Sequence, residues 1–302
     1  MLGCIINTNA QQEQMYSHYD YNTLAINPAY AGAKQTFVAN SLARLQWLNL
    51  PGAPRYYNLG VHSPLVKDFG VGLNLQTGSL GKFKNASPLS ETQIAGSIAY
   101  NKQLTENLRL AVGLRLGVYN YNINLSQMQL YDQSDAAYKN NDINITAPLT
   151  GFGVYLYSEK FFTGISAPRM LFIPTELKND INIQLIAVTQ FYGFAGYVFD
   201  ASQDLKIKTT TQVKVAQGIP VQIDLNAHAI YLEDYSVGLF YRTGGEAGLM
   251  ATVNLNPNFT VVYSYDHRLA PLNTYVNGSH EFGLQYKIPY VSNSRVRVPR
   301  YF

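Results

Sequence analysis

Much that ordinary folded domains rely on is scarce in this sequence. A single cysteine, Cys4, among 302 residues excludes a disulfide framework. Charged residues make up only 14%, against the ~25% usual in soluble domains. No apolar run approaches the ~18 residues that a spanning helix needs, which excludes a helical membrane protein. The net charge of +3 is small and scattered, so nucleic acid is excluded as a partner. The five histidines, His18, His62, His228, His267 and His280, show no metal-ligand spacing. No G-x-S-x-G elbow occurs either. His62-Ser63 and Ser279-His280 are neighbours in extended segments, whose adjacent side chains face opposite ways, so neither forms a nucleophile–base pair. Gly78-Ser79-Leu80-Gly81-Lys82 lacks the spacing of a phosphate-binding loop and reads as a loop tip. No catalytic residue, cofactor or metal is expected.

What is abundant is apolar and aromatic residues, finely dispersed. Hydrophobic residues reach 47% and tyrosines number 24, yet mean hydropathy is only −0.10. Residues 108–119 show how they are arranged. Leu108, Leu110, Val112, Leu114, Leu116 and Val118 alternate with Arg109, Ala111, Gly113, Arg115, Gly117 and Tyr119. A helix would scatter these two sets, whereas a strand puts each on its own face. About ten residues, tilted, cross a bilayer core. The same sorting recurs: Lys206, Lys208 and Lys214 lie opposite Leu205, Ile207, Val213 and Val215, and Gln222, Asp224, Asn226 and His228 opposite Val221, Ile223 and Leu225. A soluble β-sandwich would also alternate. The small, weakly charged polar face, rich in Gly, Ala, Asn and Thr, favours the interior of a barrel.

Strands are predicted at residues 37–48, 55–62, 69–77, 89–102, 107–121, 147–157, 161–167, 183–199, 205–215, 220–232, 235–242, 247–255, 259–265 and 276–288. Fourteen is even, as in bacterial single-chain barrels. The connections alternate between a short set (63–68, 103–106, 158–160, 200–204, 233–234, 256–258) and a mostly longer one (49–54, 78–88, 122–146, 168–182, 266–275). Short periplasmic turns and long outer loops are the outer-membrane pattern; 217–219 and 243–246 are short exceptions. The fold expected is therefore an all-β, transmembrane, antiparallel up-and-down barrel of about 14 strands in the outer membrane, with lipid around it and a short N-terminal periplasmic segment. Residues 1–10 read as a residual secretory signal, 11–35 as the N-terminal segment, 36–290 as the barrel and 291–302 as a basic periplasmic tail.

Parity places Arg109, Arg115, Lys206, Lys208, Lys214 and Arg242 in the lumen with Asp224, Asp266 and Glu281. They could line a pore for an anionic or extended partner, or pair to fill a closed interior. The tyrosine-rich N-terminal segment could also enter and plug that lumen. The longest predicted loop, 122–146, is the first place to look for a partner.

Several segments carry a resemblance: Tyr21-Asn22-Thr23-Leu24-Ala25-Ile26-Asn27-Pro28-Ala29-Tyr30-Ala31-Gly32, Arg44-Leu45-Gln46-Trp47, Gly60-Val61-His62-Ser63-Pro64-Leu65, Gly151-Phe152-Gly153-Val154-Tyr155, Tyr241-Arg242-Thr243-Gly244, Tyr263-Ser264-Tyr265-Asp266 and Gly278-Ser279-His280-Glu281. Together they resemble the PorP/SprF family, outer-membrane proteins of the type IX secretion and gliding machinery of Bacteroidetes. Asn27, Pro28, Tyr30, Gly32, Gly278, Ser279, His280 and Glu281 carry its most specific motifs. The resemblance implies a non-enzymatic barrel that docks or anchors a secreted cell-surface adhesin. It also implies periplasmic secretion and motility components as partners, including a peptidoglycan-linked lipoprotein. A porin or solute transporter is the alternative, and a barrel lipid hydrolase a distant third.

Overall fold

The computed structural model describes residues 16–81, 88–124, 142–172, 188–269, 278–288 and 301. Fourteen strands form one closed barrel in which each pairs antiparallel with its sequence neighbours. They are β1 Phe37–Leu45, β2 Arg55–Val66, β3 Phe69–Leu80, β4 Leu89–Gln103, β5 Arg109–Ile123, β6 Ile143–Tyr157, β7 Phe161–Leu171, β8 Gln190–Asp200, β9 Leu205–Ala216, β10 Ile219–Tyr231, β11 Tyr235–Arg242, β12 Glu246–Asn254, β13 Phe259–Arg268 and β14 Ser279–Ile288. Closure runs through β1 and β14, in register from Phe37 opposite Ile288 to Leu45 opposite His280. A closed barrel satisfies every ladder hydrogen bond without an edge, as a bilayer requires. Among the described residues no helix is long and apolar enough to cross a membrane.

Side chains sort as the alternation requires. On β5 Arg109, Ala111, Gly113 and Arg115 are buried inside, while Val112, Leu114, Leu116 and Val118 face outward. Leu116 is the most exposed of these at 68%. Outward aromatics gather towards the strand ends, with Phe69, Tyr100, Tyr197, Phe199, Tyr231 and Tyr235 on the short-turn side and Tyr57, Tyr241 and Phe282 on the other. Aliphatic residues such as Leu114, Leu116, Leu239 and Leu249 occupy the band between. An apolar band bounded by two aromatic girdles is the outer surface of a membrane barrel.

The strand predicted at 37–48 stops at Leu45, because Trp47 takes a left-handed φ of 46° that no strand tolerates. The turn predicted at 63–68 shrinks, since β2 runs through a bulge at Pro64 to Val66 and turns on Lys67, φ 47°. The strand predicted from 183 is described from Gln190 onward. Most of the 122–146 loop, together with 1–15 and 289–300, lies outside the described residues.

One expectation is corrected. The N-terminal segment is not periplasmic: residues 16–36 lie inside the barrel, and most of their side chains are buried. Tyr16 and Ser17 sit beside Arg242 and Asp266, near the long-loop ends of β11 and β13. From there the chain descends past Thr210 and Lys208 and forms a short helix, α1 Thr23–Ile26. A 3-10 turn at Pro28–Tyr30 follows, and the chain reaches the short-turn rim where β1 begins. Leu24, Ala29, Tyr30, Ala31 and Ala33 of this plug share one buried apolar cluster with Tyr155, Tyr157 and Phe162 of the wall.

Candidate functional site: the plugged lumen

At its outer end the plug is held by charge. The Arg242 guanidinium donates from Nε to both Asp224 carboxylate oxygens at 3.0 Å and from Nη1 to Glu246 at 2.9 Å, while Nη2 reaches the Tyr16 carbonyl at 3.5 Å. Beside it Arg44 bridges Asp266 and Glu281, the latter at 3.4 Å. These carboxylates face the plug as well. Glu281 accepts the backbone N–H groups of Ser17 at 3.0 Å and His18 at 2.9 Å, and Asp266 accepts the Ser17 hydroxyl at 2.8 Å. Arg44, Asp224, Arg242, Asp266 and Glu281 are each no more than 2% exposed. Buried charges persist only when paired and hydrogen-bonded, and the plug supplies several of the partners here.

Below this cluster Tyr19 donates to Thr210 at 2.9 Å, and Lys208 donates to Asp20 at 2.6 Å. Burial alone would raise the Asp20 carboxyl. The Lys208 ammonium overrides it and holds the group well below the usual carboxylate range. A row of asparagines crosses the wall: Asn40 donates to Asn22 at 3.0 Å, Asn22 to Asn58 at 2.8 Å, and Asn58 exchanges with Asn74 at 3.3 Å. Arg115 stands at the C-terminal end of α1. It donates to the carbonyls of Leu24 and Ala25, the latter at 2.8 Å, and to the Ser97 hydroxyl at 3.2 Å. Helix-terminal carbonyls lack intrahelical donors, and here a wall arginine supplies them.

The Asn-Pro-Ala-Tyr-Ala-Gly motif now has a physical role. Asn27 accepts from the Ala29 N–H at 2.9 Å and donates to the Val154 carbonyl at 3.1 Å, which caps the 3-10 turn and ties it to β6. Pro28 occupies the start of that turn, where a missing N–H costs nothing. Tyr30 packs edge-on against His62 and Tyr155, and burial pushes its phenol pKa up. Gly32 has φ 73°, and a Cβ there would lie 2.7 Å from the Cα of Gly70. Only glycine fits where plug and wall backbones touch.

The remaining predicted residues fall as follows. Arg109, 8% exposed, sits in register with Tyr157. Lys206 pairs with Glu233 at 2.9 Å near the short-turn rim. Lys214 is buried, in register with Gln222 and Tyr192. The Gly278-Ser279-His280-Glu281 motif divides across the wall. Gly278 makes the entering turn with φ 61°, and Ser279 and Glu281 point inward. His280 points outward, where it meets the Tyr263 hydroxyl at 2.8 Å and stacks near Phe282. His62 likewise points inward while Ser63 does not, and the His62 Nδ1 accepts the Gly32 N–H at 3.3 Å. Among the described residues no group of three or more His, Cys, Asp or Glu side chains could hold a metal ion.

Arg44, Asp20 and Glu246 are ion-paired lumen residues that sequence parity does not single out. On β1 the outward set, Phe37, Ala39, Ser41, Ala43 and Leu45, is barely more apolar than the inward one, so alternation gives little signal there.

The chain is similar to several solved barrels. The outer membrane protein Omp33 of Acinetobacter baumannii is 8% identical, with a TM-score of 0.48, covering 85% of this chain and 100% of that one. A FadL homologue of Pseudomonas aeruginosa is 11% identical with a TM-score of 0.46, covering 86% and 92%. The P. putida toluene transporter TodX is 8% identical with a TM-score of 0.47, covering 89% and 94%. No curated protein matches the chain. The family model described as type IX secretion system membrane protein PorP/SprF matches residues 8–286. With its closed fourteen-stranded wall, this chain is an outer-membrane β-barrel and belongs to the PorP/SprF family.

Proposed function

We propose that this barrel is a closed, non-enzymatic docking element of the type IX secretion system. It holds a secreted adhesin at the cell surface, periplasmic secretion and motility components beneath it, or both. The observation that carries the reading is the plug. A diffusion pore needs a continuous aqueous path, whereas here residues 16–36 cross the lumen and are tied to the wall by the Asp20–Lys208 ion pair and by buried hydrogen bonds. The lumen arginines and lysines named above mostly serve those ties. Docking then falls to the rims and to the long outer loops.

The test has two arms. Affinity purification of the tagged barrel from native outer membranes is expected to recover a large surface protein or a periplasmic lipoprotein. The same protein in planar bilayers is expected to be electrically silent. Recovery of the barrel alone, with stable conductance, would replace docking by the porin reading.

A further inference from the structure

Below the plug, on the short-turn side, lies a cavity of about 110 Å³. A second cavity on the long-loop side, bounded by Glu91, Tyr119 and Arg169, holds only about 40 Å³. The larger one has room for a small polyatomic group, and its lining contains polar atoms that lack partners. The Nε2 atoms of His18 and His228 have no hydrogen bond, although the residues are 2% and 3% exposed. Leaving such atoms unsatisfied costs free energy, and each one in a native fold calls for a ligand or water. The Ser236 hydroxyl lies 3.4 Å from Nδ1 of His228. With Ser236 donating, the imidazole proton sits on Nε2 and makes it a donor into the cavity.

Two lysines complete the lining. Lys34, on the plug, and Lys287, on β14, have no ion-pair partner among the described residues. Burial, the Lys287 ammonium and the Lys208 ammonium all press the Lys34 pKa down, with Asp20 opposing. The acidic groups around the cavity are largely engaged elsewhere: Asp20 by Lys208, and Glu233 by Lys206 and by the Tyr301 hydroxyl at 3.0 Å. Asp234 lies in the turn at the rim. Cations facing one another with donors beside them form an arrangement that an anion stabilises.

We propose that this cavity is a binding site for one oxyanion group, a phosphate or carboxylate on a soluble periplasmic ligand, received by Lys34, Lys287 and the Nε2 donor of His228, with the unpartnered His18 Nε2 beside them. The site joins plug to wall, so its occupant would tighten the plug from below.

The test is calorimetric titration of the full chain in detergent with inorganic phosphate and, separately, acetate, each against chloride at equal ionic strength. Saturable heat is expected with one or both oxyanions and not with chloride; which one binds distinguishes the two ligand chemistries. Lys34→Gln and Lys287→Gln should each weaken binding about tenfold, the scale of one lost charged hydrogen bond. Lys102→Gln, exposed near the end of β4, should leave it unchanged. If a lysine variant fails to fold, the unfolding midpoint of the unaltered protein should still rise with oxyanion and not with chloride. Absence of saturable binding to the unaltered protein would overturn the proposal, as would undiminished binding in both lysine variants.

Discussion

The backbone nitrogen of Ala29 occupies the place where a side chain on Gly113 would begin. A Cβ at 113 would lie 2.3 Å from it and 2.5 Å from the Ala29 Cα. Both neighbours are backbone, so no rotamer change relieves the clash. Gly113→Val should therefore push the 3-10 turn off β5 while leaving the β5 ladder intact. The expected readings are measurable bilayer conductance and new protease cleavage within residues 16–36. Silent bilayers with an uncut plug would mean that the plug does not bear on this wall.

The Arg242–Asp224 pair makes a second prediction. Truncating one member of a buried ion pair leaves the other charge unpaired, at about 3–5 kcal/mol. Arg242→Ala, which leaves the buried Asp224 carboxylate without its arginine, should lower stability by that order in urea unfolding from lipid vesicles. Replacing both residues with apolar ones should recover much of the loss, because the cost lies in the orphaned charge. A double variant as unstable as the single one would show that the pair acts through packing.

How far the sequence discloses this molecule follows from the physics of its parts. Wall strands such as β5 and β10 have a strongly apolar outer set against a polar inner set, and so they are legible residue by residue. The plug is not. Its partners, Glu281 for Ser17 and Arg115 for Leu24, lie 264 and 91 positions away in the chain. Nothing local in the plug's sequence marks it as a lumen occupant rather than a periplasmic arm. The lumen charges sit between these cases: parity gives their face, but Arg242 finds Glu246 and Asp224 only once the register is known. Helical content was equally hidden, since α1 spans four residues and depends on Arg115 for its last carbonyls.

Asp20 predicts how the plug responds to acid. Its pKa in the folded chain lies below that of an exposed carboxylate, where unfolded aspartates titrate near 3.9. A depressed carboxylate contributes stability that is fully present above the unfolded value and is lost as pH falls through the folded one. Plug retention should thus be flat at neutral pH and decline only below about pH 4. Asp20→Asn should remove that part of the acid response and lower retention at pH 7. The measure is protease protection of residues 16–36 across pH in both proteins. Identical acid profiles would assign the response to other carboxylates.

The outer wall is tested at Leu116, midway along β5 and the most exposed of its outward side chains at 68%. In water that exposure would make a charged substitution harmless. In a bilayer the same side chain lies in hydrocarbon, and arginine near the midplane of a barrel wall costs about 2–4 kcal/mol. Leu116→Arg should therefore destabilise the barrel by that order in vesicles and change little in a charged, water-rich detergent shell. Leu104→Arg, in the short turn after β4, sits at the interface, where the cost falls to about 0–1 kcal/mol. The contrast between the two positions, read as urea midpoints in vesicles, separates depth from mere exposure: equal midpoints would place Leu116 outside the hydrocarbon and shift the membrane band along the strands.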